Sequence, residues 1–195
     1  MKSFFSLIAL VILVAFSAYA QLDKGYWIGN LSGGPGNNGR SSSSGIISFS
    51  LNPEAMKLIS KNTALGMSLG IQFNRAKYYN IGSVAPNETF INRYSSFELG
   101  PVVRKYIGDK PVKPFVELST GIKMSSYRGI NNPYFTDHTD FDYFLKPTVG
   151  VAWWMNDRIS LNLSAEINIL NFSHAYFEGF KFGVSFRFGN PTINK

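Results

Sequence analysis

Ile159-Ser160-Leu161-Asn162-Leu163-Ser164-Ala165-Glu166-Ile167-Asn168-Ile169 places every apolar side chain on an odd number and every polar one on an even number. A period of two held over this stretch is a β-strand with one apolar and one polar face, because a helix would repeat every 3.6 residues. The same alternation sets Leu65, Met67, Leu69, Ile71 and Phe73 against Gly66, Ser68, Gly70, Gln72 and Asn74. Near the end of the chain it sets Phe180, Phe182, Val184, Phe186 and Phe188 against Lys181, Gly183, Ser185 and Arg187. Weaker versions over about 25–33, 45–57, 95–106, 114–126 and 142–155 bring the predicted strands to eight, the even count of closed bacterial barrels.

The connectors alternate too. Those near 58–63, 107–113 and 156–158 are short, whereas 34–44, 79–93 and 128–141 are long and rich in Gly, Asn, Ser and Asp; a fourth on the long side, 172–178, is shorter. Short turns on one rim and long loops on the other are the pattern of an up-and-down outer-membrane barrel with both termini periplasmic. Leu51-Asn52-Pro53, Leu99-Gly100-Pro101 and Leu145-Lys146-Pro147 repeat within successive hairpins. Proline cannot donate to a ladder, so bulges or bends are expected there.

Composition narrows the class. The 195 residues are 45% hydrophobic, 15% aromatic and 16% charged, which fits neither a disordered chain nor a bundle of membrane helices. The absence of cysteine excludes disulfide scaffolds, thiolate metal centres and cysteine nucleophiles. Lys2, the apolar run from Phe4 to Phe16 and Ala18-Tyr19-Ala20 before Gln21 form the three parts of a secretory signal peptide. The expected organisation is a signal peptide over 1–20, a barrel over 21–188 and a short tail over 189–195.

Which face meets lipid is settled by size and charge. Glu98, Arg104, Glu117, Lys123, Lys146, Glu166, Lys181 and Arg187 all fall on the parity where Gly and Ser collect. A small barrel has no room for the Leu, Ile, Val and Phe of the other parity inside, so the charged parity is assigned to the lumen. If positions summing to 221 face each other across the turn near Asp109 and Lys110, Arg104 opposes Glu117 and Glu98 opposes Lys123. Lys146 and Glu166 fall close to opposite, with Lys181 or Arg187 completing a lumen ion-pair network. A gated pore built on the same ladder is the sharper alternative.

Aromatic residues are expected in two interfacial bands: Tyr78, Tyr79, Tyr94, Phe97, Tyr127, Tyr143, Phe144 and Phe172 toward the long loops, and Trp27, Tyr106, Phe115, Trp153, Trp154, Phe186 and Phe188 toward the turns.

On the leader, Gly25-Tyr26-Trp27-Ile28-Gly29-Asn30-Leu31, Phe97-Glu98-Leu99-Gly100-Pro101, Lys113-Pro114-Phe115-Val116-Glu117 and Phe182-Gly183-Val184-Ser185-Phe186-Arg187-Phe188, the chain resembles the small outer-membrane β-barrel family. That family includes the eight-stranded transmembrane domain of OmpA-type proteins. The resemblance implies a porin-like or OmpA-like cell-envelope barrel of all-β class, monomeric, in contact with outer-membrane lipids including lipopolysaccharide and with the outer-membrane assembly machinery. That machinery recognises a terminal aromatic, which here would be Phe188, although Gly189 to Lys195 follow it. No peptidoglycan-binding domain is expected, so the wall-anchoring role of the longer proteins is not carried over. Gly25-Tyr26-Trp27 also looks like the opening of lipocalins, which makes a soluble carrier the competing fold reading.

Chemistry is thinly represented. Ser173, His174 and Glu178 suggest the serine, histidine and acid of lipid A-modifying barrels, but neighbouring strand residues point to opposite faces, which is poor triad geometry. His138 with Asp137, Asp140 and Asp142 would need a loop to converge on a metal. Ser32-Gly33-Gly34-Pro35-Gly36 lacks the Lys and Ser/Thr of a nucleotide loop. Arg40, Arg75, Lys77, Arg93 and Arg128 lie toward the long loops, where such cations either meet lipid phosphates or, as the plainer account has it, are simply solvated. The expectation is a non-enzymatic structural or surface-interaction barrel with no cofactor, no metal and no nucleic-acid partner.

Overall fold

In a computed structural model the chain closes into one antiparallel barrel in which each strand pairs with its sequence neighbours and the first pairs with the last. The structure describes residues 24–35, 46–79, 89–130, 136–170 and 174–189; the predicted leader and the tail beyond 189 lie outside them. The strands are β1 (Trp27–Gly34), β2 (Ile46–Ser60), β3 (Thr63–Tyr79), β4 (Thr89–Tyr106), β5 (Val112–Ile130), β6 (His138–Trp154), β7 (Ile159–Leu170) and β8 (His174–Phe188). Trp27 faces Phe188, so both ends of the barrel's chain stand at the rim that carries the turns after β2, β4 and β6. In the last of these turns Asn156 Oδ1 accepts the backbone N–H of Arg158 and of Ile159, the local bond that makes Asn a turn former.

The strands outrun the prediction at the other rim. β4 starts at Thr89 and β5 ends at Ile130, inside stretches expected to be loop, because Tyr, Ile and Thr continue the alternation and the ladder continues with them through Tyr94↔Tyr127 and Arg93↔Arg128. β3 to β6 therefore form a tall wall of 17 to 19 residues per strand, while β1 has 8 and β7 has 12.

The repeated prolines do not make bulges. Pairing toward the next strand lapses beside Pro53, Pro101 and Pro147 and resumes in the same register, since losing an N–H breaks a ladder bond without adding a residue. The strands press together instead: a Cβ on Gly100, beside Pro101, would strike the Thr120 carbonyl of β5. Register shifts fall elsewhere, between Leu58 and Ser60 and between Glu166 and Ile167.

Burial is inverted relative to a soluble protein. Among the described residues thirty large apolar side chains are exposed, and nineteen buried residues are polar or charged against eleven apolar ones. A water-soluble carrier barrel has the opposite arrangement, which removes the lipocalin-like reading.

Candidate functional site

The lumen is built in storeys by a single parity. Nearest the short turns it is mainly apolar: Ile28, Met56, Leu58, Ala64, Val102, Tyr106, Phe115, Ala152 and Trp154 pack into one buried cluster, and Lys113, buried opposite Ala152, donates its Nζ to the Gly108 carbonyl at 3.1 Å. Four of the residues predicted for the interfacial bands, Tyr106, Phe115, Phe144 and Trp154, are thus corrected to the inside. They share parity with Arg104, Glu117, Lys146 and Ala152, so the alternation carries them inward whatever their affinity for headgroups. Trp27, Phe97, Tyr143, Phe186 and Phe188 do face outward.

Above the plug a polar belt crosses six strands. Ser185 donates to Asn30 Oδ1 (3.0 Å), as does Asn162 Nδ2 (2.9 Å), and Asn30 Nδ2 donates to Glu54 Oε2 (2.9 Å). Glu54 in turn binds Arg104 Nη2 at 2.6 Å, and Arg104 also binds Glu117 at 2.5 Å. The Arg104 guanidinium lies 4.5 Å from the centroid of Phe115, resting the belt on the plug.

The next storey is a charge cluster centred on Lys146. Its Nζ reaches Glu98 (2.5 Å), Glu166 (3.0 Å) and Glu178 (3.1 Å). Lys123 holds the other oxygen of Glu98 at 3.0 Å, and Lys181 holds Glu166 at 2.7 Å. Asn168 Nδ2 donates to Glu178 Oε1 (2.6 Å). Four cations and five carboxylates share this buried space, each answered by an opposite charge, as charges buried away from bulk water require. A cavity of about 20 Å³ between the two charged storeys, bordered by Glu54, Glu98, Glu117 and Lys146, has room for about one water molecule.

Seven of the eight predicted lumen charges meet in these two storeys. Arg187 stands apart at the short-turn end, level with Ile28, with its guanidinium 4.5 Å from the Tyr26 ring centroid. The register summing to 221 is present along the β4–β5 hairpin, with Glu98 facing Lys123 and Arg104 facing Glu117.

Two members of the network escaped the sequence reading. Glu54 has inward parity with Met56 and Leu58 but follows a proline that obscures the strand, and its cation stands 50 residues away. Glu178 has the wrong parity for the lower part of β8. Gly179, with φ +127°, shifts the register so that Glu166 faces Gly179 and Ile167 faces Phe177, which turns Glu178 inward and Phe177 outward.

That turn also removes Glu178 from the suggested triad; Ser173 lies outside the described residues. His138 stacks on Tyr127 at 4.6 Å, and Asp137 Oδ1 accepts the Gly129 N–H. Among the described residues no group of three His, Asp or Glu converges as a metal site.

No protein-family profile and no curated protein matches the chain. Solved structures do. The outer membrane protein OprG of Pseudomonas aeruginosa is similar over 86% of this chain and 98% of its own, at 8% identity and a TM-score of 0.55. The N-terminal β-barrel domain of OprF from the same organism is similar over 85% and 98%, at 12% identity and a TM-score of 0.52. The chain has the fold of the small eight-stranded outer-membrane barrels.

Proposed function

We propose that this protein is an integral barrel of the bacterial outer membrane, monomeric, with both termini periplasmic and a lumen sealed by its own side chains. Its role is structural or one of surface interaction, and it is not an enzyme. The observation that carries this is the inverted burial, apolar outside and ion-paired inside, in a barrel of the fold that outer-membrane proteins use. The belt, the plug and a void with room for about one water molecule between the charged storeys support the sealed reading. Recognition then belongs to the tall wall of β3 to β6 and the connectors above it. Its partners are the surrounding lipids, lipopolysaccharide included, and the assembly machinery that reads an aromatic such as the exposed Phe188.

Heat-dependent mobility on an unboiled gel establishes insertion, and planar-bilayer recording of the inserted protein tests the seal. Silent bilayers are expected. Discrete ohmic steps would replace this reading with the small-pore alternative, which draws on Lys146: three carboxylates compete for it, so partners can exchange and part the network.

A further inference from the structure

Three arginines stand in one cross-strand row on the outside of the tall wall. Arg75 of β3 is directly opposite Arg93 of β4, and Arg93 is directly opposite Arg128 of β5. All three are exposed, and Lys77 adds a fourth cation one step further along the same face of β3. Residues directly opposed in an antiparallel sheet have Cβ atoms about 5 Å apart, a spacing at which like charges repel. Among the described residues none of the three arginines makes an ion pair. The carboxylate at the β6 end, Asp137, already accepts the Gly129 N–H.

The height of the row is as informative as its charge. On the outer face of β4 the series Val103, Pro101, Leu99, Phe97, Ser95, apolar except for its last member, is bounded by Lys105 below and Arg93 above, so residues 94–104 separate two cations. A tilted transmembrane β-strand needs about 9–11 residues to cross the hydrocarbon core. On β3 the outward run Leu65, Met67, Leu69, Ile71, Phe73 ends likewise at Arg75. The row therefore lies where acyl chains give way to headgroups, on the rim opposite the chain ends, which is the outer leaflet when both termini are periplasmic.

We infer that Arg75, Arg93 and Arg128 form a docking site for the phosphate groups of an outer-leaflet glycolipid. Planar guanidinium forks match phosphate oxygens two at a time, and an anion between neighbouring forks removes their mutual repulsion. The apolar face directly beneath, with Phe73, Phe97 and Met124 exposed, accepts the acyl chains of the same molecule, which selects a lipid over a soluble phosphate. This inference rests on the membrane reading above.

The test uses protein exported from the full-length sequence, extracted from membranes and placed in phosphatidylcholine nanodiscs with dansyl-labelled, bis-phosphorylated lipid A. Energy transfer is followed against the mole fraction of the probe from a tryptophan introduced beside the row by Phe73→Trp in every protein compared, less the signal of the same protein without it, because Trp27, Trp153 and Trp154 all stand at the opposite rim. The wild type is expected to half-saturate at a mole fraction at least about fivefold below that of an Arg75→Gln, Arg93→Gln, Arg128→Gln variant. Lys105→Gln, which removes a cation at the other rim, should match the wild type, and lipid A without its phosphates should bind the wild type as weakly as the triple variant binds the intact probe. Equal saturation of wild type and triple variant, or of the two probes, overturns the site. Displacement of the probe by millimolar inorganic phosphate overturns the lipid assignment in favour of a soluble anion. Protein that never enters the discs and stays soluble without detergent overturns the membrane reading instead, which keeps the two failures apart.

Discussion

The lower lumen and the upper lumen are made by the same alternation and held by different physics. Below, Trp154, Tyr106, Phe115 and their neighbours fill space without needing particular partners. Above, Lys146, Lys181 and Lys123 are tolerable only because Glu98, Glu166 and Glu178 stand against them. On the sealed-lumen reading proposed above, a barrel this narrow is closed twice, once by shape and once by charge, and only the charge seal can rearrange without repacking. Removing one partner from a charge cluster strands several others; removing one ring from a plug leaves a void of its own size.

The contrast is sharpest at Lys146. Lys146→Met leaves Glu98, Glu166 and Glu178 short of a shared cation and should cost about 5 kcal/mol, read as a shift of the urea unfolding curve in detergent micelles. A further Glu178→Gln change should recover part of that loss, whereas an unchanged double variant would mean the cluster is not coupled as the distances imply. Trp154→Ala in the plug should cost about 3 kcal/mol and, unlike Lys146→Met, should not be repaired by any change of charge. If the two variants respond alike to Glu178→Gln, the division into two seals fails. Gly179→Ala probes the join between them. A Cβ there makes only an ordinary contact, 3.9 Å from the Pro35 carbonyl oxygen, but the backbone φ of +127° is one that L side chains rarely adopt, which should cost alanine about 1–3 kcal/mol. A loss in that range, with Glu178→Gln becoming nearly neutral in the Gly179→Ala background, would show that the bulge is what delivers Glu178 to Lys146.

Much of the upper seal is legible in the primary structure because a short turn fixes a hairpin's register. Once Asp109 and Lys110 mark the turn, Arg104 must face Glu117 and Glu98 must face Lys123. Legibility ends where partners come from different hairpins. Arg104 meets Glu54 only because β2 and β4 curve toward a common axis, and Lys146 meets Glu98 from a strand two places away. Parity also misleads wherever the residue type argues the other way. Tyr106 and Trp154 are aromatic residues near a strand end, the composition of an interfacial band, yet they continue the inward series of Arg104 and Ala152. Reading alternation ahead of residue preference would have placed them correctly.

Period-two alternation, an even strand count and unequal connectors are properties of the chain alone, and they determine an up-and-down barrel with one polar and one apolar face, because a pleated strand has no other way to sort its side chains; the bulk of the apolar parity then puts the polar face inside. Closure decided the rest. Bringing β8 against β1 sets the diameter, the diameter decides which long side chains can touch across the lumen, and a single register shift at Gly179 decides whether Glu178 is among them. Those distances depend on all eight strands at once, which is why no stretch of sequence contains them.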